Sequence, residues 1–110
     1  MAVASPPLSP PSAEIRERFQ RLAADWKQQS RCLSNTGQMA MLKSYQRSIG
    51  MGWPAVPLIL EELRRESDQW FWALEAITEE NPIPAGDAGY VRKSADAWIN
   101  WGRERGLIES

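Results

Sequence analysis

The stretch Gly50-Met-Gly-Trp-Pro-Ala-Val-Pro-Leu-Ile-Leu-Glu-Glu-Leu63, followed by Asp68-Gln-Trp-Phe-Trp-Ala-Leu-Glu-Ala-Ile-Thr78, decides the fold. It predicts two short helices joined by a tight polar turn, with apolar residues on almost every side. A helix that is apolar nearly all round must be covered by the rest of the chain or by a partner. The stretch is therefore informative about architecture and says little about chemistry.

Two further helices are expected before this hairpin. Ser12 is suited to cap a first helix over 13–29, because its side chain can accept a backbone N–H. The apolar residues of that helix fall on one stripe: Ile15, Phe19, Leu22 and Trp26. A second helix is expected over 38–49, ending at Gly50 and Gly52, since glycine adopts the left-handed conformation at little cost.

The hairpin and the segment after it complete the prediction. We expect the third helix to start near Trp53 and the fourth to cover 69–78, capped by Ser67 or Asp68. After a rigid connector over 81–86, Asp87 is expected to cap a fifth helix over 88–105. No segment alternates apolar and polar residues with period two, so no sheet is expected.

These helices predict an all-α fold, a compact bundle of four to five short helices forming one domain over 12–110. Residues 1–11 carry four prolines and are expected to be a disordered Pro-rich tail. The hairpin core is expected to close on the first and last helices through one apolar set: Val56, Ile59, Leu60, Leu63, Trp70, Ala73, Leu74 and Ile77.

The segment Pro54-Ala-Val-Pro-Leu-Ile-Leu-Glu-Glu-Leu63, with Asp68 and Ala73-Leu-Glu-Ala-Ile-Thr78, resembles one HEAT-type helical hairpin. The sequence departs from that pattern at Gln69 and Trp70, where the second helix of the family begins Val-Arg. The wider combination of motifs also resembles small bacterial helical proteins of unassigned function. The HEAT resemblance implies a surface that binds other macromolecules, and it implies no catalytic residues.

Composition excludes several classes of function. The net charge of −1 gives no global basic field to recruit nucleic acid. Histidine is absent, which removes the commonest general base and metal ligand. The single cysteine excludes an internal disulfide framework. The sequence shows neither a signal peptide nor a membrane-spanning segment, so we expect a cytoplasmic protein that is not associated with membranes.

The remaining reactive residues do not predict catalysis. The glutamates of 61–80 are expected to form a solvated charged face, because helical metal sites in bundles pair Glu with His. Cys32 lacks the base that would activate a thiol. We therefore expect no catalytic residue, no cofactor, no metal site and no enzymatic activity.

The six tryptophans are the unusual feature of the composition. Trp26, Trp53, Trp70 and Trp98 fall on the expected core faces. Helical geometry instead places three aromatic residues off those faces: Phe71, Trp72 and Trp101. Exposed tryptophan is typical of interface hot spots, so these three are the expected partner-binding residues.

A non-enzymatic protein–protein interaction or regulatory module is therefore the leading functional prediction, for example an accessory subunit or an antitoxin-like partner of a co-encoded protein. Its expected partner is another protein or a second copy of the chain. The alternative is a nucleic-acid-binding accessory protein that combines aromatic stacking with phosphate contacts. That alternative rests on one basic–aromatic cluster: Lys43, Tyr45, Arg47 and Trp53.

Overall fold

The computed structural model describes residues 12–109, within which the chain forms α-helices and two short 3-10 helices but no strand. The α-helices are α1 (Ala13–Ser30), α2 (Thr36–Met41), α3 (Lys43–Gly50), α4 (Val56–Arg65), α5 (Phe71–Thr78) and α6 (Val91–Glu104). The 3-10 helices are Trp53–Ala55 and Ala85–Asp87. The all-α prediction is confirmed, whereas the tail predicted over 1–11 lies outside the described residues.

Helix α1 forms as the sequence predicts. The backbone N–H of Ile15 donates to the Ser12 side-chain oxygen at 3.2 Å, which is the expected N-cap. Phe19 and Trp26 are buried on the predicted stripe. The indole N–H of Trp26 donates to the Met39 carbonyl at 2.8 Å, so α1 is tied to α2 as well as packed on α3.

The single helix predicted over 38–49 is wrong, because Leu42 divides it into α2 and α3. The ψ of Leu42 is 143°, an extended value that stops helical hydrogen bonding. The break lets Leu42 pack half-buried against the core, and it turns α3 so that Ser44, Tyr45 and Ser48 face inward. No glycine or proline stands at this break, so the sequence carries no ordinary signal for it.

The side-chain caps predicted for the last two helices are also wrong. Helix α5 begins after Trp70, and the Asp68 carboxylate accepts from the adjacent Gln69 N–H at 2.8 Å instead of capping α5. Helix α6 begins at Val91 after Tyr90, with no side-chain cap from Asp87. Gly106 follows α6 with φ of 70°, the left-handed conformation that suits the predicted stop.

The core contains two aromatic clusters. The first joins α1, α3 and the start of α5, with centroid separations of 4.5–5.5 Å, and consists of Phe19, Trp26, Tyr45 and Trp70. The second lies against α6 at 5.0 and 6.4 Å and consists of Trp53, Trp98 and Trp101. The predicted stripe of α4 is buried with both clusters: Val56, Ile59, Leu60 and Leu63.

Candidate interaction surfaces

The three predicted partner-binding aromatics lie in different environments. Trp72 is 54% exposed on the outer side of α5, as the sequence predicts. Phe71 is half-buried and packs against the core, so it offers only part of its ring. Trp101 is 5% exposed and belongs to the core. Only Trp72 of the three presents a large apolar surface.

The prediction that Trp101 lies off the packing face is wrong, because side chains from other segments cover it. The indole N–H of Trp101 donates to the Glu80 carboxylate at 3.1 Å. The same carboxylate pairs with Arg105 at 2.7 Å, and the guanidinium of Arg105 lies 4.6 Å from the Trp101 ring centroid. Trp53 stacks on the indole at 6.4 Å. Trp101 therefore closes the end of the core and presents little surface to a partner.

The first turn of α5, which carries Trp72, is held by Tyr45 of α3. The Tyr45 hydroxyl accepts from the Ala73 N–H at 2.9 Å and donates to the Gln69 carbonyl at 3.0 Å. Ala73 is the third residue of α5, and its N–H has no partner within the helix. Tyr45 thus performs the capping role that the sequence assigned to Ser67 or Asp68.

This role removes Tyr45 from the predicted nucleic-acid site. Its ring is fully buried, and burial raises the pKa of its hydroxyl above the ordinary range. Trp53 is half-buried and stacked on Trp101. The predicted stacking platform is therefore wrong for Tyr45, and Trp53 belongs to a separate core cluster and offers only part of its ring. Lys43 and Arg47 remain exposed on α3.

Trp72 shares its side of α5 with carboxylates. Residues three and four positions further along a helix lie on the same face. Those positions are exposed and hold Glu75 and Ala76. Glu79, also exposed, ends α5 in the left-handed conformation, and its backbone N–H donates to the Glu75 carbonyl at 2.8 Å. Within residues 12–109, neither Glu75 nor Glu79 forms an ion pair. We call Trp72, Glu75, Ala76 and Glu79 the acidic Trp72 face.

Lys43 and Arg47 line a shallow depression of about 440 Å³ between α3 and the neighbouring helices. Its other lining residues are Arg18, Met41, Gln46 and Gly50. Met41 is 67% exposed, and none of the three cations pairs with a carboxylate in the described part of the chain. We call these six residues the basic depression. The sequence prediction missed Arg18 and Met41, which come from other helices.

A larger groove, of about 650 Å³, runs between α1 and α4, but its charges already pair with each other. Arg16 contacts Glu61 at 2.9 Å. Lys27 and Arg65 both contact Glu62, which is 8% exposed. Burial opposes ionisation of Glu62, but the hydrogen bonds from Lys27 and Arg65 prevail and lower its pKa. The ion pairs of this groove therefore join α1 to α4 and leave no unpaired charged side chain in its lining to bind a ligand.

Over 12–109, no group of three or more His, Cys, Asp and Glu side chains is arranged to hold a metal ion. In the same range, no helix combines the length and the apolarity needed to cross a membrane. Cys32 is an exposed free thiol just after α1.

No protein-family model matches this sequence, and neither the curated proteins nor the solved structures include a significant match. The HEAT-like character of the α4–α5 hairpin therefore stays a prediction. The candidate interaction surfaces are the acidic Trp72 face and the basic depression. Each places an exposed apolar side chain among unpaired charges of one sign.

Proposed function

We propose that this chain is a non-enzymatic protein–protein interaction module that binds through the acidic Trp72 face. It would act as an accessory or regulatory subunit, such as an antitoxin-like partner of a co-encoded protein. The observation that supports this is Trp72, which leaves more than half of its surface exposed. Trp70, Ala73 and Leu74 on the same segment are fully buried. Exposed tryptophan is enriched among the residues that dominate binding energy.

The chemistry of the face defines its partner. The indole of Trp72 suits an apolar pocket, and its N–H suits an acceptor at the rim of that pocket. Glu75 and Glu79 favour lysine or arginine around the pocket, and such charges mainly increase the association rate and the specificity. The partner is thus a protein with an apolar pocket inside a basic rim.

Residues behind the face support the proposal. The cap from Tyr45 fixes the first turn of α5 before any partner arrives, so less conformational entropy is lost on binding. We assign the module to the cytoplasm as part of the same proposal, because the exposed free thiol of Cys32 suits a reducing compartment.

A photo-crosslinking residue at position 72, introduced in the cells that naturally express the chain, tests the proposal. We expect it to trap one protein reproducibly. The affinity of that protein should fall about 30-fold in Trp72→Ala, which corresponds to a hot spot of about 2 kcal/mol. Tyr90→Ala is the matched control, because Tyr90 is 61% exposed but lies outside the face. Equal binding by both variants, or no trapped protein, would contradict the proposal.

A second candidate function, nucleic-acid binding, is favoured by the three unpaired cations of the basic depression. It would rely mainly on phosphate contacts, since Tyr45 is fully buried and Trp53 is half-buried against Trp101. It predicts a mobility shift with single-stranded oligonucleotides at low salt. Lys43→Gln with Arg47→Gln should weaken that shift, whereas Arg21→Gln with Arg92→Gln, at two exposed sites outside the depression, should not. Absence of a shift at low salt would exclude this function.

A further inference from the structure

We propose that the basic depression of one copy of this chain receives the acidic Trp72 face of a second copy, so that copies associate head to tail. The inference rests on the proposed function, because it uses the same Trp72 surface and names an occupant for it. It also gives a role to the basic depression, which the proposed function leaves unused.

The two surfaces are complementary in both charge and apolar content. Arg18, Lys43 and Arg47 are unpaired cations within the described residues, and Glu75 and Glu79 are unpaired anions. Met41 and Trp72 are two of the three large hydrophobic side chains exposed over 12–109. A thioether against an aromatic ring is a favourable contact. Each surface therefore carries the charge opposite to that of the other, together with an exposed apolar side chain for the other to contact.

The charge of the whole chain allows this approach. The net charge is −1, so two copies repel each other only weakly at long range. The attraction between the local patches then decides the encounter and orients it. A second copy is also always available as a partner, because it is present wherever the chain is expressed and at the same concentration.

The geometry of the contact fixes the kind of assembly. In the proposed head-to-tail arrangement, each copy gives its acidic Trp72 face to one neighbour and its basic depression to another, so the contact is heterologous. Heterologous contacts close into rings or continue as open chains, whereas an isologous contact stops at a dimer. Exposed ion pairs contribute little to the stability of a contact. We therefore expect a dissociation constant of about 10 µM to 1 mM.

Light scattering coupled to size exclusion tests the proposal on the full chain. For the wild type, the mean mass should rise above 12.5 kDa as the concentration increases. The rise should disappear in about 1 M salt, where the Debye length is about 3 Å. Trp72→Ala removes one side of the contact, and Lys43→Gln with Arg47→Gln removes the other. Each variant alone should stay at the monomer mass.

Mixing the two variants is the decisive experiment, because their remaining intact surfaces form one native contact and no more. An equimolar mixture should give dimers of about twice the monomer mass and nothing larger. Two controls should associate like the wild type: Tyr90→Ala for the aromatic change, and Arg21→Gln with Arg92→Gln for the loss of charge. Circular dichroism checks that all variants keep the helical fold.

Several results would overturn the inference: a wild type that stays monomeric at about 1 mM, variants that associate like the wild type, or a mixture that forms no dimer. A different result would assign the depression to nucleic acid: the protein stays monomeric, and it shifts an oligonucleotide only when Lys43 and Arg47 are present. That result would also overturn the inference. The proposed function fails separately. If position 72 crosslinks a different protein while the chain stays monomeric, the function stands and the inference fails.

Discussion

At the scale of the single residue, the hydroxyl of Tyr45 caps α5, a helix that is distant from it in the sequence. It is fully buried and bonds two backbone groups around the start of α5, the Gln69 carbonyl and the Ala73 N–H. A buried backbone group that loses its only partner carries the full cost of its desolvation. The outer position of Trp72 depends on the same turn.

Tyr45→Phe should therefore destabilise the protein by about 1–3 kcal/mol, because it keeps the ring in its aromatic cluster and removes only the hydroxyl. Urea unfolding followed by circular dichroism measures the change. Tyr90→Phe is the matched control, since Tyr90 is 61% exposed and its hydroxyl can bond to water in either state. Equal free energies of unfolding for the two variants would show that the hydroxyl does not cap α5.

The tryptophans show what sequence reasoning can and cannot reach for single residues. Helical spacing alone correctly placed Trp26, Trp70 and Trp98 inside and Trp72 outside. Trp101 was misplaced because the groups that cover it, Glu80 and the stacked Trp53, come from other segments. Periodicity reports which side of a helix a residue occupies, and it does not report which sides the rest of the chain covers.

At the scale of elements, α4 and α6 approach closely at Gly102. A β-carbon on Gly102 would lie 2.5 Å from the terminal methyl carbon of Leu60, which is itself fully buried. Real β-carbons do not come this close, so an added methyl group would displace Leu60 within a filled core. The absence of a side chain on α6 therefore sets the spacing of the two helices.

Gly102→Ala should lower the free energy of unfolding by about 1–3 kcal/mol, the usual cost of overpacking a core. Gly50→Ala provides the matched control. It also adds a methyl group to a helical glycine, but nothing lies within 4 Å of the new carbon. Alanine should leave stability unchanged there or raise it by up to about 1 kcal/mol. A Gly102→Ala protein as stable as Gly50→Ala would refute the close packing of α4 on α6.

The ion pairs between α1 and α4 require an ionised Glu62, so the stability that they contribute should depend on pH. The pKa of Glu62 is lowered in the fold by its bonds to Lys27 and Arg65, which outweigh its burial. A lowered pKa stabilises the fold above the unfolded value of about 4.3, and this contribution is lost as the pH falls through the folded pKa.

Glu62→Gln should cost about 1–3 kcal/mol at pH 7, because the bonds to charged groups are weakened. The difference from the wild type should shrink as the pH falls below about 4.3 and through the lowered pKa of Glu62 in the fold. Urea titrations at pH 7 and pH 3 measure both values. Glu75→Gln, at an exposed carboxylate that forms no ion pair within 12–109, should change stability little at either pH.

The elements themselves were only partly predictable. α1 and the buried stripe of α4 followed from periodicity and from Ser12, because both signals are local. The division at Leu42 and the late starts of α5 and α6 did not follow, because tertiary contacts determine them. Tyr45 replaces a local cap for α5, and packing of Leu42 outweighs the continuity of one helix. Of the candidate surfaces, Trp72, Lys43 and Arg47 were predicted, while Met41 and Arg18 required the packed structure.

At the scale of the whole molecule, α4 is buried together with both aromatic clusters, so we expect them to unfold as one unit. A domain of this size with a shared core normally unfolds in a single cooperative step. Urea transitions monitored by far-ultraviolet circular dichroism, which reports helices, and by near-ultraviolet circular dichroism, which reports the aromatic packing, should coincide. An earlier loss of the near-ultraviolet signal would show that one cluster opens independently.

Because the tryptophans are buried to different extents, the intrinsic fluorescence of this protein can report on one of its surfaces. Trp26, Trp70 and Trp98 are fully buried and Trp101 nearly so, while Trp72 alone is more than half exposed. The fluorescence emission of Trp72 should lie at longer wavelength than that of the buried tryptophans. It should also be the emission that iodide quenches most readily. Any molecule that covers the outer side of α5 would shift this component to the blue and protect it from the quencher. Occupancy of that surface can thus be followed in the unlabelled native chain.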